Sequence, residues 1–285
     1  MPMEFRLHLP APPLSRCVEH LWVARSSAAD PTVEGDQFPA GGVSVLFNFG
    51  PPQALIDVER GSLTWFDGAW VAGERECPLR LGAPAGADLV GAQFRPGAAG
   101  AFLDVPLGEL TGRIVDLAAF WPDAAAVRER LALAHDSGAR LALLERELGA
   151  RLLRAASAVR VPGHARLDGL VEHAVDALRR RGPGASIRDL AEDLGLSGRH
   201  LGRVFAERVG LGPKALHRVL RFQRVIGAVE SVAPPSWAAV AAACGYFDQA
   251  HLIRDFRRFT GITPTTYLAR RSADPNFAVA GDAVR

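Results

Sequence analysis

Residues 236–264, SWAAVAAACGYFDQAHLIRDFRRFTGITP, repeat an earlier stretch, residues 186–213, SIRDLAEDLGLSGRHLGRVFAERVGLGP. At an offset of 50, Ser186 meets Ser236, Leu190 meets Val240, Ala191 meets Ala241 and Gly195 meets Gly245. One residue then enters the second copy, and at an offset of 51 Leu201 meets Leu252, Arg203 meets Arg254, Phe205 meets Phe256, Gly210 meets Gly261 and Pro213 meets Pro264. A duplicated unit of this kind is read before any single residue.

Each copy has the layout of a helix-turn-helix. Ser186 and Ser236 are placed to cap a first helix. Ala191 and Ala241 keep it thin where another helix crosses, and Gly195 and Gly245 supply the left-handed residue that ends it. Ser197 and Asp248 then cap a second helix. Its apolar face is Leu201, Val204 and Phe205 in one copy, and Leu252, Phe256 and Phe259 in the other. The opposite face carries Arg199, Gly202 and Arg203, and correspondingly Gln249, Ala250, Ile253 and Arg254. A helix held by its apolar side that offers arginine, glutamine and small residues outward suits a DNA major groove. Residues 214–231 form a long linker helix marked by Leu216, Val219, Leu220 and Ile226, which fixes the two units relative to each other.

Asp248, His251 and Asp255 fall at i, i+3 and i+7, a spacing that also invites a metal or an acid/base pair. The capping position of Asp248 and the arginines around Asp255 argue against it. His251 reads better as a phosphate or groove-edge contact, together with Arg257 and the backbone amides at the helix starts of Ser197 and Asp248.

The charge agrees with a nucleic-acid reading. The formal net charge is +2, but residues 186–271 hold 13 Lys/Arg against 7 Asp/Glu, so positive charge is concentrated in the C-terminal third. Lys214 is the only lysine, so a single arginine is weak evidence of a nucleic-acid contact.

The N-terminal half has different punctuation. Short apolar runs at 14–24, 43–49, 54–58, 62–66, 70–73 and 87–95 alternate with Gly/Pro breaks, the pattern of a β-rich domain, cupin-like or a small barrel. Helices are expected at 98–103, 107–120, 123–134 and 138–157. The fold expected is therefore α+β: a β-rich domain with trailing helices over 1–160, an all-α double helix-turn-helix domain over 161–272, and a flexible tail over 273–285.

Other classes are disfavoured. No apolar run reaches the roughly 18 residues of a membrane span, and the N-terminus lacks the signal-peptide pattern, which places the chain in the cytoplasm. Cys17, Cys77 and Cys244 are odd in number and far apart, which suits free thiols better than disulfides, a metal site or a redox sensor. Residues 21–134 hold no histidine, against a metal cupin. Trp22, Phe38, Phe47, Phe49, Trp65, Phe66, Trp70 and Phe94 are read as core or as the lining of an effector pocket. Arg179 to Arg181 suit either nucleic acid or a helix C-terminus.

The pattern IRDLAEDLGLSGRHLGRVFAERVGLGP, a linker helix, then ACGYFDQAHLIRDFRRFTGITPTTY resembles the double helix-turn-helix domain of AraC/XylS-type transcriptional regulators. The likeness covers roughly 166–271. It implies base reading at Arg199, Gly202, Arg203, Gln249, Ala250, Ile253 and Arg254; Gly202 and Ala250 stand where longer polar side chains are usual. PAPPLSRCVEHLW, FPAGGVSVLFNFG and residues 88–117 resemble a less characterised domain fused to such regulators, in which an Asp commonly occupies the place of Ala40.

The expected function is a sequence-specific DNA-binding transcriptional regulator, activator or repressor, without enzymatic activity, metal or cofactor. Its expected partner is double-stranded DNA, with a small-molecule effector, RNA polymerase and a second copy of the chain as further candidates. The alternative is a ligand-binding or protein-interaction module whose helical repeat docks on a partner protein.

Overall fold

A computed structural model describes residues 4–57, 61–157, 164–180, 186–230 and 236–280. The expected domain boundary near residue 160 lies outside them. The N-terminal strands are β1 (Glu4–His8), β2 (Val18–Arg25), β3 (Val33–Gln37), β4 (Ser44–Asn48), β5 (Gln53–Asp57), β6 (Ser62–Phe66), β7 (Ala69–Ala72), β8 (Leu79–Ala83), β9 (Asp88–Phe94) and β10 (Ile114–Asp116). The helices are α1 (Gly100–Leu103), α2 (Ala124–Ala132), α3 (Ser137–Ser157), α4 (His164–Arg180), α5 (Ile187–Asp193), α6 (Gly198–Arg208), α7 (Pro213–Glu230), α8 (Trp237–Cys244), α9 (Gln249–Thr260) and α10 (Pro264–Arg270), followed by β11 (Phe277–Val279).

The strands make two antiparallel sheets, ordered β1-β2-β9-β4-β7-β10 and β11-β3-β8-β5-β6. The first sheet shows why alternation matters. Leu21, Val23, Val45, Phe47, Val71, Val90, Ala92 and Phe94 are buried in a core shared with Val127, Leu131, Leu141, Leu144 and Leu148 of α2 and α3. Their neighbours Trp22, Leu46, Trp70 and Leu89 point the other way and, with residues of the second sheet, enclose a cavity. Gly91 is required beneath Trp22, because a Cβ there would lie 2.6 Å from the indole.

The expected helix over 107–120 is corrected. It is broken into two 3-10 turns, Leu107–Leu110 and Leu117–Ala119, with β10 between them pairing with β7. Gly112, at φ 70°, makes the turn that redirects the chain into the sheet.

Of the flexible tail expected over 273–285, residues 281–285 lie outside the described residues, and the part up to 280 is corrected. Phe277–Val279 adds to the edge of the second sheet, Phe277 opposite Gln37 and Val279 opposite Gly35. Gly35 makes room for it, since a Cβ there would meet the Phe277 ring at 2.2 Å. The last strand of an N-terminal sheet thus comes from the C-terminus.

The C-terminal helices share one core, which includes Leu190, Leu201, Phe205, Leu216, Phe222, Ile226, Val240, Leu252, Phe256 and Tyr267. Phe38, at the end of β3, belongs to this core and not to the sheet's, with its ring edge-on to Phe222 and Tyr267 at centroid distances of 6.3 and 5.9 Å. The two halves are further joined where Thr111 Oγ1 donates to the Gly210 carbonyl at 2.6 Å. Arg179 also reaches Glu19, at 3.2 Å.

Phe38→Ala should therefore destabilise the helical half by about 3–5 kcal/mol, the usual cost of emptying a buried aromatic site. Hydrogen exchange is the check: amides of α7 and α10 lose protection while those of β4 and β9 keep it.

Candidate nucleic-acid interface and ligand cavity

The caps expected from sequence are formed. The side-chain oxygens of Ser186, Ser197, Ser236 and Asp248 accept from the backbone N–H of Asp189, His200, Ala239 and His251. Gly195 and Gly245 take φ 66° and 86°, the left-handed geometry that turns each first helix into its second. The chain thus builds α5–α6 and α8–α9 as two helix-turn-helix units on either side of α7.

On α6 the Arg199 and Arg203 side chains are exposed and Gly202 is half-buried; on α9 Gln249, Ala250, Arg254 and Arg257 are exposed. Among the described residues the guanidinium groups of Arg199, Arg203, Arg254 and Arg257 make no hydrogen bond or ion pair. Most neighbouring arginines are committed: Arg188 to Glu192, Arg208 to Asp168, Arg218 and Arg258 to Glu76, and Arg221 to Asp255. Arg224 donates to the carbonyls of Leu178 and Arg179. Unpaired arginines therefore stand on the two repeat-related outward faces, the kind of charge that suits phosphate and guanine edges.

Two expected site residues sit elsewhere. Ile253 is half-buried against the core, because the apolar stripe of α9 is wide enough to take it in. The His251 ring is turned toward the seam between α7 and α9, edge-on to Tyr246 at 5.2 Å and with Nε2 3.4 Å from the Arg221 guanidinium. Arg221 holds Asp255 at 2.5 Å, with side chains only 12% and 15% exposed, and lies 4.2 Å over the Tyr246 ring. Burial pushes the Tyr246 hydroxyl above its ordinary pKa. Asp248 is used by the cap and Asp255 by Arg221, so the apparent triad is structural. Among the described residues no cluster of His, Cys, Asp or Glu is arranged to hold a metal.

Sequence reasoning missed the role of residues 73–76, GERE. Glu74 is 2% exposed and lines the cavity between the sheets. Its Oε1 has no hydrogen-bond partner among the described residues. Burial, opposed by the Arg75 charge, pushes its carboxyl up to about 8. The Arg75 guanidinium reaches the Phe38 carbonyl at 3.4 Å. Glu76 pairs with Arg218 of α7 at 2.7 Å and with Arg258 of α9 at 3.1 Å. Two carboxyls two residues apart thus face a cavity and the helices α7 and α9, and nothing in their spacing announces it.

The cavity holds about 420 Å³. Of the aromatic residues singled out from sequence, Trp22, Phe66 and Trp70 line it. Phe47 and Phe94 are core, Phe49 lies under the Arg140 guanidinium at 4.3 Å, and Trp65 is exposed. Phe5 and the tail residue Phe277 complete the aromatic wall.

Comparison with known proteins agrees with this geometry. Residues 190–270 match the model of a helix-turn-helix domain family, and residues 6–116 match that of a domain of unknown function, DUF6597. The fold is similar to a crystal structure of ToxT from Vibrio cholerae, with a TM-score of 0.50, 10% identity, and 93% of this chain and 98% of that one covered. Another ToxT structure from that organism, bound to an unsaturated fatty acid, gives 0.47 at 10% identity, covering 86% and 93%. The AraC-like transcriptional activator CuxR gives 0.27 at 13%, covering 79% and 86%. No curated protein matches in sequence.

The chain carries a helix-turn-helix domain C-terminal to a DUF6597 domain. It is a DNA-binding transcriptional regulator. Among the described residues no helix is long and apolar enough to cross a membrane.

The raised Glu74 pKa sets a pH dependence. Its folded value near 8 lies above its unfolded value near 4.3, so its contribution to stability is complete below the unfolded value and is lost as pH rises through 8. Urea titrations between pH 5 and 8.5 should show this loss, at up to about 1.4 kcal/mol per pH unit within the window. In Glu74→Gln the slope should flatten.

Proposed function

We propose that Arg199 and Arg203 on α6, and Gln249, Ala250 and Arg254 on α9, read base edges in successive major-groove segments of one duplex. Gly202 allows close approach on α6, and Ile253 shapes the packed edge of α9. The amides at the helix starts of Ser197 and Asp248, with Arg257, hold phosphates; His251 supports them from the seam. The observation that carries this reading is the division of the arginines: those on the two outward faces are unpaired, whereas most nearby ones are tied to carboxylates or carbonyls.

The same proposal makes the cavity an effector site. Its wall includes Ala40 and Gly42 of the β3–β4 loop and Ser272, Ala273, Asp274, Asn276 and Phe277 of the tail. Gln223 of α7 donates through Nε2 to the Pro39 carbonyl at 2.5 Å and to Asn276 Oδ1 at 2.8 Å. One side chain of the helix between the reading heads therefore touches both the loop and the tail that contribute to the wall. A ligand that shifts either changes the support of α7, and differential affinity for the two arrangements is all that an effector response needs. A second copy of the chain and RNA polymerase complete the set of proposed partners, in the cytoplasm, with the domain division near 160.

Titration of the upstream promoter duplex tests the reading heads. Arg203→Ala or Arg254→Ala should cost about 1–3 kcal/mol and relax specificity at particular base pairs. Arg188→Ala, whose guanidinium pairs with Glu192, should change little. Equal weakening on every sequence would reassign both arginines to phosphate. Effector coupling is tested by Gln223→Ala: ligand binding to the cavity should persist while its effect on promoter affinity is lost.

A further inference from the structure

We infer that the cavity between the two sheets takes a cationic ligand with an aromatic or bulky apolar body, its positive group seated against Glu74. The inference rests on the effector reading above and names the chemistry of its ligand.

The body of the ligand follows from the wall. Phe5, Trp22, Phe66, Trp70 and Phe277 present aromatic surface, and two of the pairs are packed ring against ring, Phe5 with Trp22 at 6.1 Å and Phe66 with Trp70 at 5.9 Å. A space of about 420 Å³ with such a wall accepts a ligand of one to three rings. Aromatic faces also attract a cation, most strongly where water is excluded.

The charge follows from the ionisable groups that face the space. Glu74 is buried with an oxygen left without a partner, and a group in that state is costly unless something pairs with it. Glu19 lies near enough to add to the negative potential on it. Asp30 and Asp274 stand on the same lining, engaged with the backbone amides of Ser27 and Asn276. Against them stand Arg75, which is directed to the Phe38 carbonyl, and His20, which burial keeps below its ordinary pKa. Three carboxyls oppose one guanidinium, and the deepest of the three is the unpaired one. An anionic ligand would meet that surplus; a cationic one satisfies Glu74.

The position gives such a ligand a consequence. Glu76, two residues beyond Glu74, grips Arg218 of α7 and Arg258 of α9. A cation that draws Glu74 toward it acts on a segment whose next carboxyl holds the second reading helix.

The test uses the full chain and three probes with one ring system: 2-naphthylmethyl-trimethylammonium, 2-naphthylmethanol and 2-naphthylacetate, titrated calorimetrically at pH 8. The cation should bind at least tenfold more tightly than either of the others. Because Glu74 must lose its proton to meet it, affinity for the cation should rise by up to about tenfold per pH unit below 8 and level off above, while the alcohol's stays flat. In Glu74→Gln the preference for the cation should vanish and binding of the alcohol should remain, which also shows that the variant is folded. Preference for the acetate or the alcohol, or wild-type affinity of Glu74→Gln for the cation, overturns the ligand class and leaves the effector reading standing. A folded, DNA-binding chain that takes none of the three overturns both.

Discussion

Phe222 is the residue through which the parts of this protein meet. It lies on α7, with its ring 5.4 and 5.0 Å from those of Phe256 and Phe259 on α9, and edge-on at 6.3 Å to Phe38 from the end of β3. Buried aromatic contacts of this density are stiff, because interiors close-pack and resist small displacements. The linker helix α7 therefore cannot move relative to α9 without also moving relative to the N-terminal half. Arg221, the residue before it, adds a nearly buried ion pair to Asp255 on the same helix. Such a pair adds specificity of placement more surely than stability.

The helical half was the legible half. Its repeat, caps and turn glycines are local features, and each follows from chemistry that acts within a few residues: an oxygen before a helix, a positive φ after one. The runs at 43–49, 54–58, 62–66, 70–73 and 87–95 also fall within a residue or two of β4, β5, β6, β7 and β9. What sequence could not carry were associations between distant segments. Phe38 follows a strand and looks like a sheet residue, yet its partners are Phe222 and Tyr267. The Glu74 carboxyl looks like any surface glutamate until the fold buries it. Helix 107–120 failed for a related reason: the pairing of Ile114–Asp116 with β7 overrides the local apolar pattern.

The site shows the same limit from the other side. Sequence alone identifies which arginines exist but not which are already neutralised. Arg258 and Arg257 are adjacent, yet one is tied to Glu76 and the other is exposed and unpaired. His251 and Ile253, placed outward by spacing, are drawn toward the seam and the core because α9 packs on α7 along a wide stripe.

One consequence of β11 concerns how the protein is made. The strand that completes the second sheet comes from residues 277–279, synthesised after both helix-turn-helix units. Until they leave the ribosome, the outer edge of β3 is unpaired and the cavity lacks the Phe277 side of its wall. An open strand edge is a template for unwanted pairing between nascent chains. A chain that lacked residues 277–279 would keep both helix-turn-helix units yet leave the β3 edge of the second sheet open and the cavity without its Phe277 wall.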